Sequence, residues 1–274
     1  MNNLVVCGAA GRMGRRIIAC ALEEAGWRIA GAVESPGHPL LGRDAGEIAG
    51  AGKTGAELVP SLAGVVAGAD VIVDFSSPEA GVGNAVIAGK AGKPIVIGTT
   101  GFSREQERAI REALKKVAVV LAPNMSVGVN LLFELVRRTA TALGEDYDVE
   151  IVEAHHRFKK DAPSGTAARI GKIVAETRGR KWEEAATHGR EGIVGERGRG
   201  RIGVHAVRAG DIVGEHTVIF SSLGERLELT HRAHSRDTFA RGALLAARFV
   251  LGAPPALYTM ADVLSRSLNV PAKG

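Results

Sequence analysis

The chain has 274 residues, 45% apolar and 4% aromatic, with 35 Lys and Arg against 30 Asp and Glu. That length accommodates one large or two ordinary domains with ample core. The two cysteines, Cys7 and Cys20, lack any metal-ligand spacing, which argues against a disulfide framework or a zinc site, so no metal is expected.

No apolar run approaches the roughly 20 residues of a membrane span. The N-terminus enters a strand at once instead of a basic and apolar leader, so neither a signal peptide nor a membrane partner is expected and the setting reads as cytoplasmic. A net charge of +5 suits nucleic acid or, equally, anionic cofactors and substrates. The basic residues are dispersed except at 188–201, HGREGIVGERGRGR. That stretch has no aromatic residue for a base to stack on, and Glu191 and Glu196 interrupt it. It reads as a mobile loop, and no nucleic-acid partner is expected.

In chain order, Leu4 to Cys7 is a short apolar run that reads as a buried parallel strand. The turn Gly8 to Gly14 follows, then a helical pattern through Ile17, Ile18, Ala21 and Leu22. Trp27 to Val33 is a second strand, closed by Glu34. Residues 35–68 are Gly-rich and resist assignment. Val71 to Phe75 is a strand, Glu79 to about Ala91 a helix, and Pro94 to Ile97 a strand. Ser103 caps a charged helix with Glu107 and Arg111 at i,i+4 spacing, and Val117 to Leu121 is the next strand. This alternation predicts an α/β, doubly wound parallel sheet.

After a helix from about Val127 to Leu143 the rhythm changes. Strands at 148–155, 202–208, 216–222 and 225–232 crowd together around one helix, Thr166 to Arg178. They predict a C-terminal α+β domain built on a mixed sheet. A final apolar helix, Thr238 to Leu251, and the tail return to the first domain. The expected division is 1–126 plus 238–274 for dinucleotide binding, and 127–237 for substrate binding and oligomerisation.

Glycines 8, 11 and 14 sit at a strand-to-helix turn, where backbone N–H groups and the positive helix end suit a pyrophosphate. Glu34 follows at the end of the second strand, where an acid binds the adenine ribose 2′-hydroxyl. A carboxylate there repels a 2′-phosphate and Ser35 brings no cation, so NADH is expected, with NADPH left open. The turns at Gly98-Thr99-Thr100 and Ala122-Pro123-Asn124-Met125 fall at the carboxyl ends of later strands, the edge along which ligands of open sheets bind.

The segment EIVEAHHRFKKDAPSGTA, 150–167, delivers His155 and His156 from a strand, then Lys159 and Lys160, then a new helix N-terminus. It is equipped to hold an anionic substrate by its carboxylates and to protonate it.

Together these motifs resemble the dihydrodipicolinate reductase family. Supporting blocks are VDFSSPEA at 73–80, GTTGF at 98–102, APNMSVGVN at 122–130 and GDIVGEHTVIF at 210–220. The resemblance spans essentially the whole chain. It implies an N-terminal Rossmann domain and a C-terminal substrate and tetramerisation domain. It further implies NAD(P)H-dependent reduction of 4-hydroxy-tetrahydrodipicolinate, a small cyclic dicarboxylate, to tetrahydrodipicolinate and water on the diaminopimelate route to lysine, by a homotetramer.

By the same resemblance His155 is the proton donor and Lys159 the second catalytic residue, while His156, Ser164, Gly165 and Thr166 bind substrate. Gly8, Ala9, Ala10, Gly11, Arg12, Met13, Glu34, Gly98, Thr99, Thr100, Ala122, Pro123, Asn124 and Met125 contact the cofactor. Many relatives carry an arginine where this chain has Ser35, which bears on NADPH use and not on the reaction. Two alternatives stand beside this reading: another two-domain NAD(P)-dependent dehydrogenase of a small carboxylic acid, and a non-catalytic NADH sensor. The absence of any cysteine after Cys20 argues against a phosphorylating semialdehyde dehydrogenase.

Overall fold

The structure is a computed structural model that describes residues 1–267; the tail at 268–274, assigned above to the first domain, lies outside them. The described residues form two compact units, Met1–Val127 with those from Arg236 on, and Gly128–Ser235. No helix among the described residues is long and apolar enough to cross a membrane.

The first unit holds a seven-stranded sheet. Its elements in chain order are β1 (Asn2–Cys7), α1 (Arg12–Glu23), β2 (Trp27–Val33), α2 (Ala45–Ala49), β3 (Leu58–Val59), β4 (Val71–Asp74), α3 (Pro78–Lys90), β5 (Ile95–Ile97), α4 (Arg104–Ala113) and β6 (Ala118–Leu121). All the pairings are parallel. The central strands are apolar on both faces because helices cover both. Leu4, Val6, Val73 and Val120 face one core with Ile17 and Ile18 of α1. Val5, Ile72, Ile97 and Val119 face another with Ala85 of α3 and Ile110 of α4. Ser103 and Gln106 close a capping box on α4, which satisfies N–H groups that the helix itself leaves open.

The segment 35–68 contains α2, β3 and two short 3-10 turns. Its shape comes from a buried side chain, not from periodicity. Asp44 accepts hydrogen bonds from the amides of Gly46, Glu47, Thr54 and Gly55, folding the loop around one carboxylate.

The second unit begins with α5 (Val127–Leu143), of which Val127 itself closes the first unit, and continues with β7 (Asp148–His155), α6 (Gly165–Thr177), α7 (Trp182–Ala185), β8 (Ala186–His188), β9 (Ile202–Arg208), β10 (Gly214–Ser221) and β11 (Arg226–Ala233). The five-stranded sheet runs β11-β10-β7-β9-β8. It is mixed: β7 pairs parallel with β9 and antiparallel with β10. Val149, Ile151, Val218 and Phe220 pack one face against Val136 of α5 and Ile170 of α6. After it, α8 (Asp237–Leu251) packs on α1 of the first unit through the Arg16–Asp237 ion pair. β12 (Ala256–Tyr258) then adds to β6, and α9 (Met260–Ser267) follows.

The Gly/Arg-rich segment read as a mobile loop is tied to β7 instead. Arg190 and Arg197 both reach Glu150, and Arg197 also reaches Asp148. Burial would raise the Glu150 pKa, but hydrogen bonds from Arg190, His205 and Arg197 outweigh it and pull it down to about 2. These arginines are engaged with the protein's own acids, which a reading of composition cannot reveal.

Candidate active site

The first crossover of the parallel sheet opens with the glycine turn. Gly8 has φ +74, and a Cβ there would lie 2.4 Å from the Phe75 carbonyl oxygen, so both conformation and space require glycine. A Cβ at Gly14 would lie 2.1 Å from the Gly8 carbonyl oxygen; this glycine allows α1 to pack close under the turn. Gly11 is the N-cap of α1 and brings no capping side chain, and the first turn carries no acid. The positive helix end is thus left for an anion. Glu34 accepts a hydrogen bond from the Ala10 amide at 3.0 Å, which ties the end of β2 to the turn.

Two cavities flank that turn. One, of about 530 Å³, is lined by Gly8, Gly11, Glu34 and Ser35 together with Phe75 and Asn84. The other, of about 470 Å³, is lined by Gly11, Arg12 and Met13, by Gly98, Thr99 and Thr100, and by Pro123, Asn124 and Met125. These are the proportions of a two-part ligand draped over a helix N-terminus, and the residues fit a dinucleotide. Ala9, Ala10 and Ala122 are buried beneath the turns and line neither cavity.

Asp74, fully buried at the end of β4, organises the loops around this site. It accepts from the Ser76 hydroxyl at 2.8 Å, the Thr99 hydroxyl at 2.7 Å and the Asn84 amide at 2.6 Å. Asp74→Ala would leave the buried Thr99 and Asn84 donors unmatched. The expected cost is about 2 kcal/mol, read as a lower denaturant midpoint with an unchanged m-value.

In the second unit, His155 ends β7. Its Nδ1 lies 2.5 Å from Oε2 of Glu153. Glu153 is fully buried and also meets both terminal nitrogens of Arg208 at 2.8 Å and the Ser164 amide at 3.0 Å. Burial would raise the Glu153 pKa, but Arg208, His155 and the Ser164 amide outweigh it and hold it below the usual range. Burial lowers the pKa of His155, with Glu153 opposing.

Ser164 caps α6 by accepting from the Ala167 amide, and its hydroxyl meets Nε2 of His216 at 3.1 Å. His216 is 3% exposed, and burial pushes its pKa to about 3, so the ring is neutral. Gly165 and Thr166 form the first turn of α6. Lys159 pairs with Asp161 at 2.9 Å, and His156 packs its ring by Phe158. Lys160 is exposed.

The structure thus brings His155, Ser164 and the α6 N-terminus together through Glu153. Sequence reasoning missed Glu153, Arg208 and His216, and in the first unit Asp74, Phe75, Arg236 and Phe239, of which the last two line the smaller cavity. One signal was present: Val149, Ile151, Glu153 and His155 alternate onto one strand face, so Glu153 is a charge that follows two apolar residues on that face and precedes the histidine. Register supplies the rest, since Glu153 stands opposite His216 and His155 opposite Arg208.

A parallel, doubly wound sheet that opens its first crossover with an anion-receptive glycine turn has the Rossmann-type, dinucleotide-binding architecture. The comparison with known families is specific. A domain described as dihydrodipicolinate reductase, N-terminus, matches residues 2–125, and its C-terminal counterpart matches residues 128–264. The chain belongs to the dihydrodipicolinate reductase family.

Similar proteins include the 4-hydroxy-tetrahydrodipicolinate reductases of Trichlorobacter lovleyi and Geobacter sulfurreducens. Each is 53% identical over 264 residues, covering 96% of this chain and 99% of the relative. Among solved structures, a dipicolinate-bound dihydrodipicolinate reductase from Paenisporosarcina sp. TG-14 superposes with a TM-score of 0.76. It is 22% identical and covers 94% of this chain and 97% of that one, a likeness of fold.

Proposed function

We propose that this chain reduces 4-hydroxy-tetrahydrodipicolinate to tetrahydrodipicolinate with release of water, using His155 as the proton donor. The observation that carries the reading is the loop after β7. A histidine oriented by a buried carboxylate, a lysine and the N-terminus of α6 lie within one short stretch. Family membership across both halves of the chain supports the same substrate class.

A reduced nicotinamide, when bound, supplies the hydride. The protein's residues do the rest. Loss of the 4-hydroxyl with a proton from the neighbouring carbon releases the water and leaves a conjugated imine, and hydride addition to that system leaves negative charge on nitrogen and the adjacent carbons. His155, as imidazolium, quenches that charge by protonation. Lys159 neutralises a carboxylate or the developing anion. The first turn of α6, at Gly165 and Thr166, receives the other carboxylate, and His156 completes the substrate contacts. The same reading has the chain acting in the cytoplasm as a homotetramer; Val207 and Leu227, apolar and exposed on the second sheet, suit association.

The cofactor is NADH on this reading. Glu34 and Ser35 line the larger cavity, and no Lys or Arg joins them in its lining, while Arg12 lines the smaller one. A 2′-phosphate beside Glu34 meets a like charge without compensation. Ser35→Arg is expected to raise kcat/KM with NADPH about tenfold or more, since a charge-assisted hydrogen bond contributes about 1.5–3 kcal/mol. Parallel initial rates with both nucleotides check it, and an unchanged ratio would remove position 35 from cofactor choice.

The reaction is tested by coupling the protein to the upstream condensation of pyruvate with aspartate semialdehyde and following nicotinamide absorbance. Oxidation that depends on the condensing enzyme supports the assignment. Cofactor binding without oxidation would favour the non-catalytic sensor.

A further inference from the structure

A histidine that gives up a proton must present one nitrogen to its substrate and keep the other occupied. Glu153 and His155 stand two residues apart on β7 and so share a strand face. From the geometry we propose that Glu153, clamped by Arg208, is the positioning residue of this site. Its carboxylate fixes His155 with Nδ1–H donated to it and Nε2 presented for proton transfer, and it ties that ring to Ser164, the cap of α6. The proposal rests on the reading of His155 as proton donor.

Every oxygen of Glu153 is used. Oε2 accepts from His155 Nδ1 and from Arg208, and Oε1 accepts from Arg208 and from the Ser164 amide. An ionised carboxylate only accepts, so Nδ1 must be the donor and the tautomer follows. On the other side of the ring, Nε2 faces Gly214, where a Cβ would sit only 3.1 Å away; glycine keeps that nitrogen clear.

A buried ion pair is a costly way to stabilise a fold, because desolvation can cancel the attraction, and it is better explained by what it orients. Arg208 also donates to the Asp161 carbonyl, so the same cation holds the loop that carries Lys159. One carboxylate thereby sets the proton donor, the helix cap and the lysine loop relative to one another.

The charged and titratable groups around His155 define the expected pH behaviour. Glu153 faces it from β7 and Arg208 from β9. His216 stands edge-on from β10 at 5.3 Å between ring centroids, with His231 of β11 opposite it. Lys159, paired with Asp161, follows in the loop. Glu153 favours the imidazolium, whereas burial, Lys159 and Arg208 disfavour it. A general acid works only when protonated, so kcat/KM falls as pH rises through the His155 pKa. Glu153→Gln removes a favouring charge and moves that fall to lower pH. Arg208→Gln removes a disfavouring charge and moves it to higher pH.

The test uses the full chain labelled with 13C at histidine Cε1. The His155 resonance is assigned by its absence in His155→Gln, and pH–rate profiles are measured on the same proteins. Glu153→Gln is expected to lower the His155 titration midpoint by about one unit, a roughly tenfold loss of the protonated form above it. Arg208→Gln is expected to raise the midpoint, which keeps the test decisive if Glu153→Gln does not fold. A His155 titration that moves in neither variant overturns the proposal. Titrations that shift in opposite directions while the pH–rate profile stays fixed would uphold the hold of Glu153 on His155 and instead remove His155 as the proton donor.

Discussion

His155→Gln is expected to lower kcat by about 10²- to 10⁴-fold, the usual contribution of a positioned general acid, while the affinity for reduced nicotinamide stays close to that of the parent. The split follows from where the groups lie. His155 belongs to the second unit, and the residues that fit the dinucleotide belong to the first. Glutamine keeps a hydrogen-bonding side chain of similar reach, so the neighbouring structure changes little, but it cannot deliver a proton. Equilibrium titration by nicotinamide fluorescence and steady-state rates in the coupled assay would separate the two effects. A variant that retains turnover within a factor of a few would exclude His155 as the acid. One that loses cofactor affinity in parallel would show that the substitution had disturbed the protein at large.

What the sequence makes legible follows from which forces leave a local trace. Strands apolar on both faces, such as Leu4–Cys7 and Val71–Asp74, announce helices on both sides, and the glycine turn between β1 and α1 is visible because backbone geometry dictates residue type. The loop from His155 to Thr166 was readable because its chemistry is contiguous. Glu153, Arg208 and His216 were not, because they meet only through strand register, Glu153 and Arg208 standing 55 positions apart in the chain.

The segment around α2 was opaque for a different reason. Asp44 organises it by accepting backbone amides from up to 11 residues away, and such bonds have no period. Short edge strands, β8 and β12, are held by pairing rather than by composition. Arg190 and Arg197 misled in the opposite sense, since their partners Glu150 and Asp148 lie on β7.

Gly8→Ala should be severely damaging to the first unit. Two penalties act at once: φ is +74, and the added carbon would sit 2.4 Å from the Phe75 carbonyl oxygen. A left-handed conformation alone costs a non-glycine residue about 1–2 kcal/mol. With the clash, a loss of about 3 kcal/mol or more is expected, read as a fall in Tm of about 6 °C or more for a chain of this size.

The same carbon would push Phe75 off its seat. A Cβ at Gly98 would lie 2.2 Å from the Phe75 ring, which shows how closely that ring covers the β5 turn, so the disturbance should spread to both cavities. Cofactor affinity should therefore fall together with stability. Gly11→Ala is the informative contrast, since its Cβ would meet only the Gly8 carbonyl oxygen, at 3.1 Å, without a positive φ. It should retain most of the stability and report on how closely the ligand's phosphates approach the helix end. If Gly8→Ala melted with the parent and bound nicotinamide normally, the turn would not be the strained, close-packed element that positions the cofactor.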